Sequence, residues 1–223
     1  MLEVEGICKK YGKRVILQGI SFSAEPGECI GIAGGNGCGK TTLLSILAGV
    51  NRPDRGSVRF DGRDAVGKRS VIARNAAYVP QENPLVPELS AMDNYRLWFH
   101  GDKKAMEEDL RSGTGHILGL NAFLGTRADR LSGGQKKRLS IASALSNHAA
   151  VLIMDEPGAA LDLAAKQEIL NYIKRFMGQG GIVILTSHEM AELSVCTGLY
   201  VLKGGKLEPV ERSLDADALI EKF

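Results

Sequence analysis

"ECIGIAGGNGCGKTTLLSILAGV", Glu28 to Val50, changes its hydrophobic pattern twice along its length. "ECIGIAG" is a short apolar run of the kind that forms a strand. "GKTTLLSILAGV" sets Leu43, Leu44, Ile46 and Leu47 on one side of a helix that stops near Gly49. Between the two, "GGNGCGKT" at 34–41 fits the phosphate-loop pattern G-x-x-x-x-G-K-[ST]. The loop's glycines, Gly34, Gly35, Gly37 and Gly39, let backbone amides wrap phosphates, with Asn36 and Cys38 carried between them and Thr42 just after. Lys40 can neutralise charge on β- and γ-phosphates, and the Thr41 hydroxyl can ligate magnesium. The plain alternative is a glycine-rich turn that matches by chance, but the strand before it and the helix after it are the context the motif requires.

Working outward, "LEVEGICKKY" and "RVILQGISFSA" read as strands around a turn at Gly12, and "SVRF" and "AAYVP" as further strands. From about Gln81 to Ala149 the pattern turns helical, in "SAMDNYRLWFH", "KKAMEEDLRSGTGHILGL" and "GGQKKRLSIASAL", with Ser90 and Asp93 forming a capping-box pattern at the first start. "AAVLIMDEP" and "GIVILTSHE" are unbroken apolar runs ending in polar residues. Such runs suit strands buried on both faces of a parallel sheet, whose ligands gather at the strands' C-terminal ends. "LAAKQEILNYIKRFM" supplies a crossover helix and "LYVLKGGKLEPVE" a closing hairpin. The expected fold is therefore α/β: a mostly parallel, helix-flanked sheet with an N-terminal antiparallel β-subdomain and an inserted helical subdomain. One domain is expected over 1–223, with 1–80 and 150–223 as core and 81–149 as the helical part.

Composition narrows the class. The 28 Lys plus Arg against 26 Asp plus Glu leave a net charge of +2, too balanced for an electrostatic nucleic-acid binder, and no nucleic-acid partner is expected. Cys8, Cys29, Cys38 and Cys196 have no paired C-x-x-C spacing, which argues against zinc and for a reducing compartment. No leader pattern opens the chain and no apolar run reaches membrane-spanning length, so a soluble, cytoplasmic chain is expected, and the tail ending at Phe223 leaves no room for a regulatory domain.

Two further stretches carry chemistry. Asp155 and Glu156 close the "VLIM" strand, where Asp155 can hold magnesium through water and Glu156 can orient and deprotonate an attacking water. "LSGGQ", 131–135, places a serine and two glycines before a helix, a second arrangement suited to phosphate, although Ser132 read alone is an ordinary helix cap.

Together "GGNGCGKT", "LSGGQ" and "VLIMDEP" resemble the nucleotide-binding domain of the ATP-binding cassette superfamily, and the order of elements matches over nearly the whole chain. That resemblance implies a P-loop NTPase core that binds ATP and Mg2+ and dimerises around two nucleotides. The signature Ser132, Gly133, Gly134 and Gln135 would bind phosphate held by the partner's loop. Gln81 would reach magnesium and the attacking water, His188 the γ-phosphate, Tyr11 would stack on adenine, and Asp162 would lie in the dimer-facing loop. Each has a structural alternative: Tyr11 as a hairpin aromatic over the core, Asp162 as the cap of the helix from Leu163, and Thr186 with Glu189 as a capping box beside His188.

Where the family usually has a small hydroxyl residue and then Ser or Thr before "ALD", this chain has Gly158 and Ala159, so some hydrogen bonds across the dimer are expected to be missing. The acidic pair, Lys40 and His188 are intact, which keeps the expectation of an active ATPase. Cys38, close to Lys40 and the loop amides, is expected to react with thiol reagents in a way that bound nucleotide prevents. The family analogy points to the ATP-binding subunit of a transporter. It would be held at the cytoplasmic face of the membrane by separate permease chains that dock around "QENPLVPELSAMDNY", 81–95. Leu85, Val86, Leu89, Trp98 and Phe99 are mostly assigned to core packing, with any exposed remainder as the docking patch. The alternatives are a soluble cassette ATPase acting in translation or DNA repair and a nucleotide-binding switch or kinase. The first lacks the arms, basic extensions and second cassette it would need here, and the second does not account for Ser132 and the acidic pair.

Overall fold

The structure, a computed structural model, describes residues 1–211, and the tail ending at Phe223 lies outside the described residues. The first part of the chain forms β1 (Leu2–Tyr11), β2 (Arg14–Ala24) and β3 (Cys29–Ala33), then α1 (Lys40–Leu47), β4 (Arg55–Phe60), β5 (Arg63–Asp64), α2 (Arg69–Asn75) and β6 (Ala76–Val79). Helices follow: α3 (Ala91–Trp98), α4 (Lys103–Ser112), α5 (Thr114–Ile117) and α6 (Gly133–Leu145). The chain closes with β7 (Val151–Asp155), α7 (Leu163–Gly178), β8 (Ile182–Thr186), α8 (Met190–Leu193), β9 (Gly198–Lys203) and β10 (Lys206–Val210).

Two sheets result. One is four-stranded in the order β2-β1-β4-β5, with every pairing antiparallel. The other is six-stranded in the order β10-β9-β3-β8-β7-β6, parallel throughout except for the β9–β10 hairpin. All residues of β3, β7 and β8 are buried, as continuous apolar runs require when both faces of a sheet are covered. Alternation along these strands splits the core in two. Leu152, Met154, Val183 and Leu185 face a cluster shared with α3, α6 and α7. Val151, Ile153, Ile182 and Ile184 face the opposite cluster, which holds α1 and the inner face of the antiparallel sheet. Leu43, Leu44, Ile46 and Leu47 of α1 all belong to that second cluster, the face read from their spacing.

The local signals mostly act as expected, with two corrections. At Ser90 the side chain accepts from the Asp93 amide at 3.1 Å, but the Asp93 carboxylate accepts from the Ser90 hydroxyl at 2.6 Å and not from its backbone, so the box is only half made. Thr186 caps no helix. It ends β8, and the amide of Glu189 is taken by the Ser187 hydroxyl at 2.9 Å, while Glu189 itself precedes α8. "KKAMEEDLRSGTGHILGL" is two helices, α4 and α5, broken at Gly113. The buried Asp109 carboxylate accepts there from the Thr114 and Gly115 amides and from the Tyr95 hydroxyl.

Candidate active site

Parallel register brings the polar residues to one edge of the six-stranded sheet. Ile32 of β3 pairs with Thr186 of β8, Asp155 of β7 pairs with Thr186 from the other side, and Val79 of β6 pairs with Met154. The glycine loop after β3, Glu156 after β7, His188 after β8 and Gln81 after β6 therefore emerge side by side. Gly39, at φ 116°, turns the loop into α1 without any side-chain cap, so the first-turn amides keep their donors for a ligand.

Four of these side chains form one chain of contacts. The Gln81 Nε2 donates to Glu156 Oε2 at 3.0 Å, Glu156 Oε1 lies 3.1 Å from His188 Nε2, and that nitrogen lies 3.0 Å from Lys40 Nζ. Lys40 also donates to the carbonyls of Gly34 at 2.7 Å and Gly35 at 3.4 Å. Behind them Asp155 is buried and accepts from the Thr186 hydroxyl at 2.6 Å, and the same hydroxyl oxygen accepts from the Glu156 amide at 3.1 Å. Glu156 has a φ of 45°, left-handed for a non-glycine residue, a strain typical of functional turns.

A cavity of about 540 Å³ opens here, lined by Asn36, Gly37, Gly39, Lys40, Thr41 and Thr42 with Gln81 and Glu156. Arg14 and Ile16 complete the lining, and the Arg14 guanidinium reaches the Gly37 carbonyl at 3.5 Å. No motif marks these two residues; only their place two and four residues beyond the Gly12 turn hints at them. Tyr11, opposite Arg14 in the hairpin, is half exposed and outside the lining, with the Lys9 ammonium 5.4 Å from its ring centre. Cys38 is half-buried and packs toward the second core cluster.

The signature residues stand apart from this cavity. Ser132 and Gln135 make a full capping box on α6: the Ser132 hydroxyl accepts from the Gln135 amide at 3.2 Å and the Gln135 Oε1 from the Ser132 amide at 2.9 Å. Ser132 and Gly133 are exposed, whereas Gly134 is buried against α7, so closely that a Cβ there would sit 2.6 Å from that of Ala165. Asp162 caps α7, accepting from the Ala165 amide at 2.8 Å, which is its plain reading.

Beside the site, sequence reasoning passed over two buried charged residues, Lys137 and Glu192. Lys137, 2% exposed on α6, donates to the carbonyls of Pro80 and Gln81, and burial pushes it down to about 8 despite the nearby Asp155 and Glu192. It lies one turn from Gly134 and one from Ile141 on the helix's buried stripe, and a lysine on that stripe was the available signal. Burial raises the Glu192 carboxyl above its usual value, against hydrogen bonds from Ser187 and the Gly158 backbone. A Cβ on Gly158 would collide with Glu192 Oε1, so a side chain here would have to displace the buried carboxylate.

Residues 17–159 match the family model described as ABC transporter. The chain belongs to the ABC transporter family. This cassette is 34% identical over 223 residues to the linearmycin resistance ATP-binding protein of Bacillus subtilis (strain 168), covering 96% of this chain and 70% of that one. It is 34% identical to the Nod factor export ATP-binding protein I of Paraburkholderia xenovorans (strain LB400), covering 92% and 68%. To a spermidine/putrescine import ATP-binding protein of Spiroplasma citri it is 35% identical, covering 94% of this chain and 61% of the relative. Among solved structures, a dimeric ATP-binding cassette in a post-hydrolysis state bound to ADP and Pi superposes with a TM-score of 0.82 at 25% identity, over 96% of this chain and all of that one. An ATP-binding subunit of an ABC transporter superposes with a TM-score of 0.86 at 23% identity, over 100% and 98%, a likeness of fold. The cassette is an ATP-binding ATPase of the transporter class. Among the described residues no helix is long and apolar enough to cross a membrane.

Proposed function

We propose that this cassette hydrolyses ATP at sites completed by a second cassette, and that closing and opening of the pair drives separate membrane-spanning subunits. The observation that carries this reading is the split of the phosphate-binding groups within one chain. The glycine loop, Gln81 and Glu156 line one cavity, while the exposed Ser132 and Gly133 at the start of α6 lie outside it. Two-fold pairing of identical surfaces supplies each cavity with the missing serine and helix start from its partner.

In the proposed division of roles, the loop amides and Lys40 hold the β- and γ-phosphates, and His188 contacts the γ-phosphate. Glu156 takes the proton of the attacking water, which Gln81 helps to orient. The donors around the site are hard oxygens from Thr41, Gln81 and Asp155, and among the described residues no group of three His, Cys, Asp or Glu side chains forms a metal cage by itself. That set fits magnesium, which keeps water and phosphate ligands beside one or two protein groups. When bound, the ion would neutralise phosphate charge. Tyr11 is proposed for the adenine and Asp162 for the facing subunit.

The docking surface proposed for the permease chains is the groove lined by Tyr78, Pro80, Pro84, Leu85, Trp98 and His100. Leu85 and Phe99 pack on the core as expected, but Trp98 and Val86 are 48% and 39% exposed and form the apolar remainder. Ser140 and Ser143 line the groove with buried hydroxyls that meet no partner, so a docking segment with a polar side chain among apolar ones fits it.

Light scattering of a Glu156→Gln variant with ATP and magnesium tests the reading. A mass that doubles on adding nucleotide, or association with a second cassette, supports it; a monomer at saturating ATP that binds no partner cassette overturns it.

A further inference from the structure

We propose that Lys137 is a positioning residue for hydrolysis: its buried ammonium fixes the backbone of Gln81 and so aims the Gln81 side chain at Glu156. This rests on the reading of the site given above. The Lys137 Nζ donates to the Pro80 carbonyl at 3.2 Å and the Gln81 carbonyl at 3.1 Å. Those carbonyls belong to the two peptide units on either side of the Gln81 Cα, so together they set the direction in which its Cα–Cβ bond leaves the loop. The Gln81 side chain is exposed, with little packing to hold it, yet its Nε2 stands 3.0 Å from Glu156 Oε2. Aim in that situation has to come from the backbone.

The position of Lys137 gives the tie a second property. It sits five residues after Ser132 on α6, with Gly134 packed on α7 and Ser140 and Ser143 in the outer groove. A movement of α6 would therefore pull on the Gln81 loop through this pair of hydrogen bonds. An ammonium suits the task because it offers several donors and no acceptor.

Lys137→Met keeps the apolar stem and removes the donors, and Lys137→Arg restores them. With ATP as substrate, we expect Lys137→Met to lower kcat about ten- to a hundredfold with KM little changed, the usual scale for a misplaced catalytic group, and Lys137→Arg to recover much of the loss. In a Gln81→Ala background Lys137→Met should cost almost nothing more, because the group it aims has gone. Amide hydrogen exchange at Gln81 and Glu82, read without nucleotide, should speed up in Lys137→Met. An unchanged kcat, a full multiplicative loss in the double variant, or unaltered exchange would each overturn the proposal. Should Lys137→Met not fold, Lys137→Gln, which keeps a polar head with fewer donors, answers the same question. A wild-type protein that hydrolysed no ATP would instead sink the catalytic reading, and the exchange measurement would still decide whether the tie exists.

Discussion

Glu156 holds a left-handed backbone, a conformation that costs a non-glycine residue on the order of 1–3 kcal/mol, and its amide is kept there by Thr186, whose carbonyl and hydroxyl both accept from it at 3.1 Å. The turn thereby points the carboxylate at Gln81 and His188 while Asp155, one residue earlier, stays in the sheet. Glu156→Gln leaves that backbone intact and removes only the base, so kcat should fall about 10²- to 10⁴-fold with ATP affinity retained, as stopped-flow hydrolysis and nucleotide titration would show. Lys40→Ala should weaken nucleotide binding itself, and equal losses of affinity in both variants would contradict this division. Gly158 shows a second residue-scale constraint, since a side chain there must displace the Glu192 carboxylate. Gly158→Ala should lose about 1–3 kcal/mol in urea unfolding, as overpacked sites do, and combining it with Glu192→Ala should cost clearly less than the sum of the two single changes.

The contact of α6 with α7 shows what a motif reading alone misses. Within "LSGGQ" the two glycines have different tasks: a Cβ on Gly134 would meet that of Ala165 at 2.6 Å, whereas one on the exposed Gly133 would meet the end of Leu161 at 3.1 Å and the Ala160 carbonyl at an ordinary 3.7 Å. Gly134→Ala should therefore destabilise the protein by about 1–3 kcal/mol in chemical denaturation, while Gly133→Ala should act mainly on nucleotide-dependent association. The strands were legible because β3, β7 and β8 are unbroken apolar runs, and the long helices because periodicity and caps agree along them. Short elements escaped. The two-residue β5 carries no period at all, and α2 has no side-chain cap and buries only Ile72, so neither reaches the length at which a pattern stands out. The site was legible where local sequence determines geometry, as at the glycine loop and the acidic pair. It was illegible where distant residues meet: Lys137 at the carbonyls of Pro80 and Gln81, Glu192 over Gly158, and Arg14 at the Gly37 carbonyl are joined only by the tertiary fold.

At the scale of the whole molecule, the six-stranded sheet gathers the glycine loop, Gln81, Glu156 and His188 at one edge, and the helices between β6 and β7 carry Ser132 away from that cavity. In the proposed reading one chain holds two halves that do not meet, and a working site would take one half from each of two chains. This arrangement makes a prediction that a self-sufficient cavity does not share. A Lys40→Ala chain keeps a sound signature and a Ser132→Arg chain keeps a sound glycine loop, so each alone builds only defective sites. Mixed in equal amounts, they should form some pairs with one complete site, in which the loop comes from the Ser132→Arg chain and the serine from the Lys40→Ala chain. ATPase activity of the mixture should then rise well above that of either variant alone, and the rise should steepen with protein concentration as pairing does. If hydrolysis were completed within one chain, the mixture would stay at the average of its two components, and measuring phosphate release across mixing ratios separates the two outcomes.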